Sequence, residues 1–159
     1  MNDRKNLLAY CGFYCGDCLG YTGVIAAAAT DFKLVLEKYQ FKQTAQSIFP
    51  EQLKDYDHFF EILGFITGLK CPMTCRERPN SSVACPVRQC CIEHGFVTCA
   101  DCNDFEECEQ LKSLMEGLHY EASLKNLKAI KTMGLENWLN AGKRHHYWDV
   151  PEHESGLKG

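Results

Sequence analysis

The stretch CPVRQCCIEHGFVTCADC, residues 85–102, decides how this chain is to be read. Pro86 suits the first turn of a helix and His94-Gly95 suits its end, so the pattern predicts a short helix from Val87 to about Glu93. Cysteines crowd both of its ends: Cys85, Cys90 and Cys91 on one side, Cys99 and Cys102 on the other, with Cys108 close behind. Pairs two to four residues apart are the spacing of metal ligands. A short loop aims two thiolates at one ion, and two such loops complete a tetrahedron.

The rest of the chain repeats the theme. Of 159 residues, 11 are cysteine. Cys11, Cys15 and Cys18 form C-x3-C-x2-C near the N-terminus, and Cys71 and Cys75 form C-x3-C in the middle. Cys15-Gly16-Asp17-Cys18 and Cys99-Ala100-Asp101-Cys102 share one pattern, C-[GA]-D-C. Each precedes a predicted helix, so Asp17 and Asp101 are read as caps rather than ligands. Gly12 and Gly16 ease the tight turns that such knuckles need.

Between the cysteine clusters the periodicity is helical. Ala26 to Ala29 lie in a helical segment from Leu19 to Gln40, where Phe32, Val35, Leu36 and Tyr39 make one apolar stripe. A cap at Thr30 or Asp31 would divide it in two. Pro50 opens a further helix carrying Leu53, Tyr56, Phe59, Phe60, Leu63 and Ile66, ended by Gly68 and Cys71-Pro72. These aromatics read as core. Pro72, Pro79, Asn80, Ser81 and Ser82 mark a loop. Asn103 with Glu106 reads as a capping box for a helix to about Met115. Tyr120, Leu124, Leu127 and Ile130 form a helix stopped at Met133-Gly134, and Leu135, Trp138 and Leu139 start the last one. Phe96-Val97-Thr98 is the one short strand signal. The Lys143 to Trp148 stretch reads as a solvated helix end with Trp148 packed down. The expected fold is mostly α: a small helical domain with cysteine-rich metal-binding loops over residues 1–149, and a frayed tail over 150–159.

Composition excludes several classes. The net charge of −4 opposes nucleic-acid binding, which needs a basic footprint. No apolar run approaches a membrane span of about 20 residues. The N-terminus lacks the apolar region of a signal peptide, so the expected location is the reducing cytoplasm, where clustered cysteines mean metal or catalysis rather than disulfides. An odd cysteine count also forbids complete pairing within one chain. Lys70, Arg76, Arg78 and Arg88 flank the central cysteines, either offsetting thiolate charge or as solvated loop cations. His94 reads as a helix-end histidine.

The expected cofactor is zinc, about two ions, with an Fe–S cluster as the alternative. One site takes Cys11, Cys15 and Cys18 with a later cysteine. The other takes Cys99, Cys102 and Cys108 with Cys85 or Cys90. Cys71 and Cys75 complete the first site or build a third. Cys90 and Cys91 project about 100° apart on a helix, so one is spare, and Cys91 is read as the bystander.

The segments Tyr10–Cys18 and Cys85–Cys102, with Phe105–Cys108 and Met133–Leu139, resemble a family of small cysteine-rich prokaryotic proteins catalogued only as a domain of unknown function. The resemblance implies metal binding and supplies no reaction. It also implies Cys90 as a ligand, through its C-x4-C pairing with Cys85. The C-x3-C at Cys71 and Cys75 departs from the C-x2-C of that pattern.

The expected function is a cytosolic zinc protein with structural thiolate sites, acting as an interaction module for an unidentified protein or small-molecule partner. Closed four-thiolate sites leave no open position for hydrolytic chemistry. The alternatives are an Fe–S electron-transfer protein, or an enzyme with an open metal site or a free thiolate at Cys91.

Overall fold

The computed structural model describes residues 3–78, 85–117 and 119–149. Among them the chain is mostly helical. It forms α1 (Asp3–Asn6), α2 (Leu19–Thr22), α3 (Val24–Lys38), α4 (Phe41–Ile48), α5 (Tyr56–Ile66), α6 (Pro86–His94), α7 (Glu109–Lys112), α8 (Tyr120–Met133) and α9 (Leu135–Ala141), with short 3-10 turns between them. No strand forms among the described residues; Leu8 and Tyr14 make an isolated antiparallel bridge. No described helix is long and apolar enough to cross a membrane. The loop expected at Pro79 to Ser82 and the tail expected from residue 150 lie outside the described residues.

Residues 1–149, read from sequence as one domain, are organised as two compact units. One is discontinuous, Met1–Gly16 with Met73–Gly159; the other, Asp17–Pro72, is inserted into it.

In the inserted unit the first helical segment breaks at Gly23, in the left-handed region at φ +71°, and not at Thr30 or Asp31. The Thr30 hydroxyl caps nothing; it donates to the Ala26 carbonyl at 2.8 Å, a mid-helix bond. The segment after Pro50 runs in turns, and its helix starts only at Tyr56. α4 has no counterpart among the helices expected from the sequence; it starts after Gln40, whose φ of +49° re-aims the chain. The core here is thin: Ala29, Leu36 and Leu63, with Phe41, Phe60 and Ile66 against them. The stripe read along α3 is largely exposed, while of the aromatics read as core after Pro50 Tyr56 is buried and Phe60 half-buried. Tyr39 keeps 67% of its surface and Phe65 70%, and Phe32, Val35 and Phe59 are exposed too. α3 packs against α5 through Ala29 and Leu36, which meet Leu63.

The discontinuous unit holds the larger core. Leu8, Val87, Phe105, Leu111, Leu127 and Trp138 are almost wholly buried in it. α6 forms as its punctuation predicts. Pro86 occupies the first turn, and Gly95 at φ +69° ends the helix while the Phe96 N–H donates back to Cys91 O at 2.8 Å. α8 and α9 also fall where the sequence puts them, divided at Gly134.

Three local expectations fail. Phe96-Val97-Thr98 makes no strand, because the Val97 and Thr98 N–H groups donate to the Asp101 carboxylate at 2.7 and 3.2 Å. Thr98 and Asp101 form the capping box instead, and Asn103 with Glu106 does not. Glu106 pairs with Lys128 at 2.7 Å, and the predicted helix to Met115 is a 3-10 turn, α7 and a second 3-10 turn. The residues after α9 are not a helix end. Buried Asn126 fixes them by exchanging two hydrogen bonds with the His145 backbone, at 2.8 and 2.9 Å. Trp148 stays at the surface, stacked on His146 at 4.4 Å.

Candidate metal centre

In the discontinuous unit a tight loop presents Cys11. Ala9 N–H donates to Phe13 O at 2.7 Å, Cys15 N–H to Leu7 O at 2.6 Å, and Gly12 turns the chain at φ +88°. The Phe13 backbone N–H favours the Cys11 thiolate, the effect by which a knuckle steadies a thiolate. Burial is the larger effect and pushes the Cys11 thiol up to about 12, with Cys75 and Cys85 close enough to add to the rise. Cys75 is raised by burial too, against a backbone N–H from Tyr10 and the positive charges of Arg88 and Arg76. Cys11, Cys75 and Cys85 therefore share one neighbourhood.

Arg76 assembles it. Its Nε donates to Leu8 O at 2.6 Å, its Nη2 donates to Val97 O, and its guanidinium lies 4.4 Å from the centre of the Tyr10 ring. Cys99 N–H donates to Tyr10 O at 2.8 Å. Three cysteine-bearing loops are thus tied through one side chain and one backbone bond. Arg88 is buried at 5% exposure. Of the four cations flanking the central cysteines, Arg76 and Arg88 act on Cys75 as charge offsets and are not free solvated loop groups.

A second neighbourhood gathers Cys90, Cys102 and Cys108. Burial raises the Cys90 thiol, and Cys91, Cys108 and Cys102 raise it further. His94, one turn on, bonds through Nδ1 to Cys90 O at 2.9 Å and lies 3.8 Å from its sulfur. Cys91 points the other way, into the core, with its sulfur 3.6 Å from that of Cys99. The hydrogen bond between them lowers the Cys91 thiol and raises that of Cys99.

In the inserted unit Cys18 and Cys71 border the same glycine. A Cβ built on Gly20 would lie 3.3 Å from the Cys71 sulfur and 3.8 Å from that of Cys18. Cys71 N–H donates to Gly20 O at 2.9 Å. Cys15 opens the 3-10 turn Cys15–Asp17, where a Cβ on Gly16 would meet the Tyr14 ring at 2.5 Å.

These neighbourhoods keep part of the grouping read from spacing, since Cys102 and Cys108 act on Cys90 and Cys108 acts on Cys99. Cys11 stands with Cys75 and Cys85, Cys90 with Cys102 and Cys108, and Cys99 turns toward Cys91. The side chains gathered are cysteines, a donor type that zinc sites use. Among the described residues, however, no group of three or more His, Cys, Asp or Glu side chains is placed so that it could hold a metal ion. Sequence reasoning missed the Arg76 clamp, which no local pattern announces. It also missed the Thr98 cap, although Thr-x-x-Asp is the capping signature.

The profile of a family described as "Protein of unknown function (DUF3795)" matches residues 7–113, more than half of the 159. The chain belongs to this family. The DUF3795 match spans all eleven cysteines, Cys11 to Cys108, and stops before α8 and α9. No curated protein and no solved structure matches the chain.

Proposed function

We propose that this DUF3795 protein binds zinc through cysteine thiolates, about two ions per chain, and that the metal is structural. The observation that carries the reading is the neighbourhood of Cys11, Cys75 and Cys85, where the backbone N–H groups of Phe13 and Tyr10 favour the thiolates of Cys11 and Cys75 and arginines offset the charge of Cys75. These three would serve one ion, and Cys90, Cys102 and Cys108 another. The loops close further on the metal, so metal binding and local folding are one event. Structural metal leaves the protein as an interaction module in a reducing compartment. The large exposed apolar side chains of the inserted unit, among them Tyr39 and Phe65, support that role.

Elemental analysis of anaerobically purified protein, with X-ray absorption at the zinc edge, tests this. The expected result is about two zinc ions with Zn–S near 2.3 Å. Iron with labile sulfide and a brown colour would replace the reading with an Fe–S protein.

A further inference from the structure

Cys91 and Cys99 are set off from the other cysteines by burial and by contact with each other, with Cys90 beside the first and Cys11 and Cys108 near the second. Their sulfurs touch at 3.6 Å, and they are the two buried cysteines, at 1% and 9% exposure. Their surroundings are apolar: Val87, Ala100, Phe105 and Leu111 belong to the same core cluster. A four-thiolate zinc centre carries a net charge of −2, which is costly to bury among such side chains. No third donor joins the pair among the described residues. Two thiols suffice for a disulfide, whose sulfurs lie about 2.05 Å apart, so closure requires a shift of roughly 1.5 Å. Both backbones are held for it. Cys91 O accepts the bond that ends α6, and Cys99 begins the 3-10 turn that Thr98 caps.

We propose that Cys91 and Cys99 are a reversible dithiol–disulfide site, distinct from the metal ligands and oxidised by a small peroxide. One sulfur attacks the peroxide. The O–O bond breaks, an S–O bond forms, and one water leaves. The second sulfur then attacks the first, the S–S bond forms, the S–O bond breaks, and the departing hydroxide takes the remaining thiol proton as a second water. Two thiols and one hydrogen peroxide give one disulfide and two waters. Reduction by an external dithiol returns the pair.

The site is tested on the full chain, with metal content measured before and after treatment with near-stoichiometric hydrogen peroxide. Remaining thiols are alkylated in denaturant and the protein is digested with trypsin. Cleavage after Arg88 and Lys112 yields one peptide holding Cys90, Cys91, Cys99, Cys102 and Cys108. The expected peptide is lighter by two hydrogens and alkylated only at Cys90, Cys102 and Cys108. Dithiothreitol reverses the change, and metal is retained throughout. A bond mapped to any other pair overturns the proposal. So does metal release in proportion to bond formation, which would make Cys91 and Cys99 ligands. The mapping uses the unmodified protein, so no variant has to fold. Iron in place of zinc would defeat the metal reading and leave this one standing.

Discussion

Gly12→Ala probes how the Cys11 loop is seated. Gly12 has φ +88°, where a side chain costs about 1–2 kcal/mol. The added methyl would also meet Leu127 Cγ at 3.0 Å, Leu127 Cδ2 at 3.1 Å and Ser123 O at 3.3 Å, all on α8. Leu127 and Ser123 are fully buried, so neither gives way freely, and overpacking of this kind costs about 1–3 kcal/mol. The expected total is about 2–5 kcal/mol. At a urea dependence of about 2 kcal/mol per molar, the unfolding midpoint falls by roughly 1–2.5 M. Both tryptophans, Trp138 and Trp148, lie in the discontinuous unit, so their fluorescence follows its unfolding. Gly95→Ala is the control: φ is +69°, but nothing lies within 4 Å of the new methyl. It should lose only the backbone part, about 1–2 kcal/mol. Equal losses in the two variants would refute the close seating of the loop on α8.

Three further outcomes are expected. Arg76→Lys should destabilise the discontinuous unit by about 2–3 kcal/mol in the same urea assay, because an ammonium cannot reproduce the fork to Leu8 O and Val97 O or the stack on Tyr10; an unchanged midpoint would remove Arg76 as the clamp. His119 lies 4.5 Å from Phe13 and 4.6 Å from Tyr147, ring centre to ring centre, and burial holds its pKa below the ordinary 6.5. The folded state therefore binds fewer protons than the unfolded chain, so this contribution is complete above about pH 6.5 and is lost as pH falls through the folded value; His119→Phe should flatten that acid limb in thermal melts between pH 7 and 5. Cys11→Ala and Cys102→Ala should each lose about one metal ion by elemental analysis, and Cys91→Ala none.

Punctuation was the legible part of the sequence. Pro86, Gly95 and Gly134 fix helix ends through backbone geometry that depends on neighbouring residues alone, and α6, α8 and α9 form where those residues place them. Burial was less legible. A period of 3.6 identifies a face but not what covers it, so Phe32, Val35 and Tyr39 form a stripe as expected yet lie exposed. The clustering of the cysteines could be read from spacing, but which of them neighbour one another in space could not. The Cys11 loop is tied to the Cys75 segment by Arg76 and to the Cys99 turn by the bond from Cys99 N–H to Tyr10 O, contacts between segments far apart in the chain. The orientation of Cys91 lay between these extremes. Helical geometry separates it from Cys90, and only tertiary packing shows that it faces Cys99.

The discontinuity of the larger unit sets an order of events during synthesis. Residues 17–72 are contiguous, and their helices can pair as soon as they leave the ribosome. The Cys11 loop cannot settle then, because Arg76, Cys99 and Leu127 have not been translated. At roughly 5–20 residues per second, its thiols wait several seconds without partners. A nascent chain stalled before α8 would carry a finished insert and an open N-terminal loop, so this loop is made first and completed last.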